Sequence, residues 1–193
     1  MIKLIYIHGF KSSGESDKSR MLKQAFPNAT VEAPTLSPRP ATAISQIESI
    51  IKRNPSNTIL VGTSLGGFYS LYLASKFDIP AFIINPSLEP NVTLISKVGT
   101  HTRYGSDEEY DFKLPYIDEL DEMVKQLASM PKPGNLLHLY LSEDDELLSF
   151  EKLDSVIPVR KLTRWFKSAG HRFTKFSEVI PDIQEVINDF EKS

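Results

Sequence analysis

The chain of 193 residues contains no cysteine. That absence removes disulfide scaffolds, thiolate zinc sites, iron–sulfur clusters and cysteine nucleophiles together, and it fits a reducing, cytoplasmic setting. Charge of one sign is also lacking: 22 Lys and Arg stand against 25 Asp and Glu, a net charge of −3. So even a balance builds no phosphate-tracking surface, and nucleic acid is not an expected partner. No window approaches about 18 uncharged apolar residues, so no transmembrane helix and no membrane partner is expected. The opening Met-Ile-Lys-Leu-Ile-Tyr-Ile-His is broken at Lys3 and has no small-residue cleavage site, which does not suit a signal peptide. Neither a phosphate-binding P-loop nor a dinucleotide glycine fingerprint follows the first apolar run, which argues against a nucleotide-binding protein.

What remains is ordinary globular material. Hydrophobic residues make up 40% of the chain and charged residues 24%, enough for one core in one domain spanning residues 1–193. Short β-type runs are expected at Lys3–Ile7, Ala29–Glu32, Thr58–Val61, Ala81–Ile84, Leu136–Leu141 and Val159–Leu162. Ile59–Val61 and Ala81–Ile84 are continuously apolar, as strands covered on both faces must be. Helical patterns fall between them, at roughly Ser16–Ala25, Thr42–Arg53, Leu65–Lys76, Ile117–Met130 and Ser177–Phe190. The alternation predicts an α/β fold, with a mostly parallel sheet of about six strands and helices on both faces. Residues 87–116 break the rhythm and are expected to form a lid-like insertion. From Gly105 to Glu122 eight acidic residues face Lys113 alone, which points away from a lipid-facing lid and toward short, soluble, uncharged or weakly charged substrates.

One segment carries chemistry. Gly62-Thr63-Ser64-Leu65-Gly66 lies where an apolar strand gives way to a helix. In that context a serine sits on a strained turn with its hydroxyl presented, and Gly62 and Gly66 flank it because side chains would collide across the turn. A serine hydroxyl needs a base. Of four histidines, His138 lies within a strand run and is read as a packed or edge residue, and His101 lies in the acidic stretch and is read as exposed. His171 follows the last strand, at the sheet edge that carries the serine, and is the expected base. A carboxylate must orient it, and Ser142-Glu143-Asp144-Asp145-Glu146 supplies candidates after the preceding strand. Asp144 and Asp145 alternate in direction, so one should face His171 while its neighbour points to solvent or caps the segment near Leu147. His8-Gly9-Phe10 ends the first strand, where an oxyanion hole takes one backbone N–H. Phe10 and Leu65 would donate, Gly9 would let the loop approach, and His8 would brace it.

These segments resemble the α/β-hydrolase superfamily, and more narrowly the small bacterial esterase family of the YqiA/UPF0227 type. The resemblance rests on Tyr6–Ser13, Gly62–Tyr69, Asn85–Pro90, Asp145–Leu148 and Gly170–Phe173, and so spans nearly the whole chain. It implies a compact hydrolase without the first antiparallel strands of larger relatives, a catalytic set of Ser64, Asp145 and His171, and no metal or organic cofactor. Asp144 stands where relatives carry a small residue, and it remains the alternative acid. The expected activity is cleavage of short acyl esters through an acyl-enzyme. The alternatives are a thioesterase or small amide hydrolase with the same residues, and a hydrolase-fold protein that binds acyl ligands without turnover.

Overall fold

The computed structural model describes residues 1–192. In chain order the elements are β1 (Lys3–Ile7), α1 (Asp17–Ala25), β2 (Thr30–Glu32), α2 (Pro40–Ile51), β3 (Thr58–Thr63), α3 (Leu65–Phe77), β4 (Ala81–Ile84), α4 (Pro90–Thr93), β5 (Gly99–Thr102), β6 (Glu109–Phe112), α5 (Leu114–Ser129), β7 (Leu137–Ser142), α6 (Leu153–Val156), β8 (Leu162–Phe166) and α7 (Ile180–Lys192). Six strands form one sheet in the order β2-β1-β3-β4-β7-β8, every neighbouring pair parallel. The chain starts in the middle, runs out to β2, then returns and continues through β3. The strand order therefore switches between β1 and β3, and the crevice at their carboxyl ends is where such sheets bind ligands.

Period-two alternation sends side chains to two separate cores. Ile5 and Ile7 of β1, Leu60 of β3 and Ile83 of β4 pack with α2, α3 and α5. Leu4, Tyr6, Val61, Phe82 and Tyr140 face the other way, against Leu22 of α1 and Ile183 and Ile187 of α7. Each buried branched side chain contributes about 1.5–3 kcal/mol. Helix α3 is buried from Leu65 through Ser75 and so needs no polar face.

Two expectations are corrected. The last strand is not Val159–Leu162 but Leu162–Phe166. Val159 is exposed, whereas Leu162–Phe166 pairs in parallel with His138–Ser142 of β7 and Phe166 meets Phe173 at 5.0 Å. Residues 87–116 hold helix α4 and an antiparallel hairpin of β5 and β6. α5 then begins at Leu114, three residues before the expected start. The eight acids of the stretch mostly lie on that hairpin and helix: Glu119 binds Arg39 and the Ala41 N–H, and Asp121 binds Lys125.

Candidate active site

Ser64 joins β3 to α3 with φ 57° and ψ −119°, a conformation a non-glycine residue holds only when its surroundings impose it. The surroundings are backbone. A Cβ at Gly62 would stand 2.1 Å from the Gly66 carbonyl oxygen, and one at Gly66 would stand 2.0 Å from that of Ile7. The elbow is tied down further, since Ser64 N–H donates to Ile84 O at 3.0 Å and Ser64 O accepts from Phe68 N and Ser87 N. Ser64 itself is half-buried and lines a cleft of about 600 Å³ with Gly9, Phe10, Thr63, Tyr104 and His171.

His171 meets Asp145 on the far side of this cleft. Its Nδ1 lies 2.9 and 3.0 Å from the two carboxylate oxygens, and the Asp145 side chain is only 1% exposed. A carboxylate can only accept here, so Nδ1 carries the proton and Nε2 is left as a base. Nε2 has no protein partner among the described residues. Asp145 Oδ1 also accepts from the N–H groups of Leu147 and Leu148, each at 2.9 Å. One carboxylate thus both orients the imidazole and caps the following turn.

Asp144 is exposed, as expected of the neighbour of the acid that faces His171, but it leaves the cap of that turn to Asp145 and bonds elsewhere. Its Oδ1 accepts from the Ser142 hydroxyl and from Ala169 N and Gly170 N at 3.1 and 3.0 Å, holding the loop that carries His171. The Ser142 hydroxyl and then the Gly170 N–H keep its carboxyl below the usual carboxylate range. Two further braces carry no sequence motif of their own. Glu146 accepts from His171 N–H at 2.9 Å. Buried Asn85, at the end of β4, donates to the carbonyls of Gly170 and His171 and accepts from Ser142 N–H. The signal available was an asparagine directly before Pro86, where a buried amide in a turn has to find partners.

The N–H groups of Phe10 and Leu65 have no protein acceptor among the described residues. Leu65 is the first residue of α3, where no intrahelical acceptor exists. Gly9 lies against the serine: a Cβ there would stand 3.2 Å from Ser64 Cβ. His8 braces this loop as expected, its Nδ1 donating to Gly9 O at 2.8 Å and its Nε2 accepting from Leu36 N–H at 2.9 Å. Burial, opposed by the Gly9 carbonyl and aided by Arg103, pushes its pKa down to about 4, so His8 is neutral.

The hairpin holds the same loop from outside. Buried Arg103 donates to Ser12 O and Leu36 O, both at 2.8 Å, and lies over the Tyr110 ring at 4.9 Å. Its Nε sits 3.0 Å from Glu108 at an angle unsuited to a hydrogen bond, so that contact is Coulombic. Tyr104 N–H donates to Lys11 O, and the Phe10 ring stands edge-on to His101 and Phe112 at 5.1 Å. His101 is thereby corrected from an exposed loop residue to a half-buried member of an aromatic cluster. His138 is packed as expected, stacked on Phe82 at 4.6 Å. It lines a second cleft of about 690 Å³ at the amino ends of the strands, which contains none of the residues above. No group of three or more His, Asp or Glu among the described residues is placed to hold a metal ion. No helix among them is long and apolar enough to cross a membrane.

A parallel sheet with a strained serine between β3 and α3, an acid after β7 and a histidine after β8 defines the α/β-hydrolase fold. Solved structures agree. Mouse α/β-hydrolase domain-containing protein 10 superposes with a TM-score of 0.73 over 97% of this chain and 90% of its own, at 18% identity. Est1E from Butyrivibrio proteoclasticus gives 0.72 over 100% and 89%, at 11% identity. Within that class the chain belongs to the family described as "Uncharacterised protein family (UPF0227)", which it matches over residues 3–188. A UPF0227 protein of Vibrio parahaemolyticus is 25% identical over 191 residues, covering 96% of this chain and 99% of the relative.

Proposed function

We propose that the protein is a serine hydrolase of the carboxylesterase type, with Ser64 as nucleophile, His171 as base and Asp145 as the acid that orients it. The observation that carries this reading is the His171–Asp145 pair, formed across one cleft from a serine held at positive φ. Proteins of like fold that are named as esterases and lipases support it, among them an esterase domain from Rhodothermus marinus and a monoacylglycerol lipase from Paleococcus ferrophilus.

His171 Nε2 takes the Ser64 proton as Oγ bonds to the acyl carbon. The carbonyl electron pair moves onto oxygen, and the oxyanion is held by the N–H groups of Phe10 and Leu65. Collapse breaks the bond to the alcohol oxygen, which receives the proton from His171, leaving an acyl-enzyme and free alcohol. Water then adds with His171 again as base, and expulsion of protonated Ser64 releases the acid. Ser12, Ser13, Ser16 and Thr63 in the cleft wall suit short, soluble substrates better than a lipid interface.

The test is turnover of 4-nitrophenyl esters of graded chain length by wild type and Ser64→Ala. Wild type should prefer short chains, with no rate jump where a long-chain ester forms micelles, and the variant should lose at least about 10³ in kcat. Full turnover by the purified variant would overturn the assignment.

A further inference from the structure

Five charged side chains line the cleft: Glu15, Asp17, Lys18, Arg20 and Arg172. Asp17 is paired with Arg20, and Glu15 lies 3.7 Å from Lys23. Lys18 and Arg172 have no carboxylate partner among the described residues. The charge left unmatched is therefore cationic, in a chain of net −3.

The placement of the two cations adds to this. Lys18 Nζ donates to Arg172 O at 2.6 Å and stands 5.9 Å from the Phe176 ring centre, so a half-buried ammonium sits under the loop that carries His171. Burial, opposed by Asp17 and reinforced by Arg172, lowers its pKa. Two cations on one cleft wall, neither in an ion pair with a carboxylate among the described residues, would both gain from a bound anion. The cleft floor holds a further unused group. Thr63 Oγ1, one residue before the nucleophile, is buried and makes no hydrogen bond of acceptable geometry, although Tyr6 is near enough to feel it. The acidic residues 107–122 do not offset the cations, because none of them lines the cleft.

We propose that this cleft selects esters that carry a carboxylate, bound by Lys18 and Arg172 while Ser64 attacks the ester carbonyl. The proposal rests on the serine-hydrolase reading and names its substrate class. It narrows the expectation of uncharged or weakly charged substrates, which rested on acids that do not line the cleft. The carboxylate belongs to the acyl part or to the alcohol part, and paired substrates separate the two. Mono-4-nitrophenyl adipate against 4-nitrophenyl hexanoate tests the acyl side; the hexanoyl ester of 4-hydroxybenzoate against phenyl hexanoate tests the alcohol side.

In one of these pairs the anionic ester should show a kcat/KM about tenfold higher than its neutral match at low salt, shrinking at about 0.5 M sodium chloride. Lys18→Gln and Arg172→Gln should each lower that ratio about fivefold, mainly through KM, and Lys18→Glu should take it below one. The Arg172 side chain makes no hydrogen bond or ion pair among the described residues, so its variant reports on charge even if the Lys18 variants fold poorly. A wild-type ratio at or below one in both pairs would overturn the proposal. An unchanged ratio in the variants would do the same, because a lysine that merely straps the loop would slow both esters alike. Neutral-ester turnover that depends on Ser64 would leave the serine-hydrolase reading standing in either case; loss of all ester turnover would remove both.

Discussion

The serine elbow and the His8–Ser12 loop meet in one cleft, yet different physics holds them. The elbow is fixed by backbone in near contact, with no room for a Cβ at Gly62 or Gly66. The histidine and its acid share that local character, since Asp144, Asp145, Glu146 and Asn85 all bond to the loop at the end of a neighbouring strand. The His8–Ser12 loop is held instead by groups remote in sequence: Leu36 through His8, and the hairpin through Arg103 and the ring cluster around Phe10. Geometry set by neighbouring strand ends leaves a short motif. Geometry set by a distant hairpin leaves none.

The largest effect expected separates the two regions by chemistry. Asp145→Asn keeps the shape of the acid but favours the wrong imidazole tautomer, a loss of about 10⁴ in the serine-protease precedent. Steady-state kinetics should show kcat down at least several hundredfold, with thermal stability changed far less. Gly62→Ala tests the steric half: with a Cβ 2.1 Å from Gly66 O, urea melts should report a loss of about 3 kcal/mol or more.

The His8–Ser12 loop should answer to pH. His8 is neutral in the folded protein, with its pKa near 4 against about 6.5 when unfolded, so its contribution is complete above pH ~6.5 and is lost as pH falls toward 4. That window holds up to about 3 kcal/mol. Urea midpoints between pH 7 and 4 should fall accordingly in wild type, and His8→Asn should flatten that part of the curve.

Smaller effects sharpen the contrast. Arg103→Met frees the carbonyls of Ser12 and Leu36 and loosens the loop bearing Phe10 N–H. It should lower kcat about tenfold while KM moves less, and Lys should rescue it only in part. A fall in KM and kcat alike, without weaker binding of a boronate transition-state analogue, would make the hairpin a bystander. Asp144→Asn keeps the Oδ1 acceptor and should cost under tenfold in kcat.

The same contrast explains what the sequence made legible. Alternating apolar runs gave the parallel sheet, and Ser64, Asp145, His171, His8 and Gly9 were readable because each stands at a strand end beside a recognisable neighbour. The resemblance, rather than spacing, chose Asp145 over Asp144, and the structure shows both at work on one loop. Arg103 and Lys18 were missed because their contacts reach across many tens of residues, which no local period records, and Asn85 entered only within a resembling segment, without a role of its own. The edge strand β8 was misplaced because its position depends on pairing with β7, a partner from another part of the chain.

The central claim is that Ser64 is an activated nucleophile served by His171 and Asp145. A fluorophosphonate probe with peptide mapping tests it most directly. Labelling should occur on Ser64 alone, vanish in Ser64→Ala and slow by at least about a hundredfold in Asp145→Asn. Labelling at another serine such as Ser12 or Ser13, or an unchanged rate in Asp145→Asn, would contradict the account.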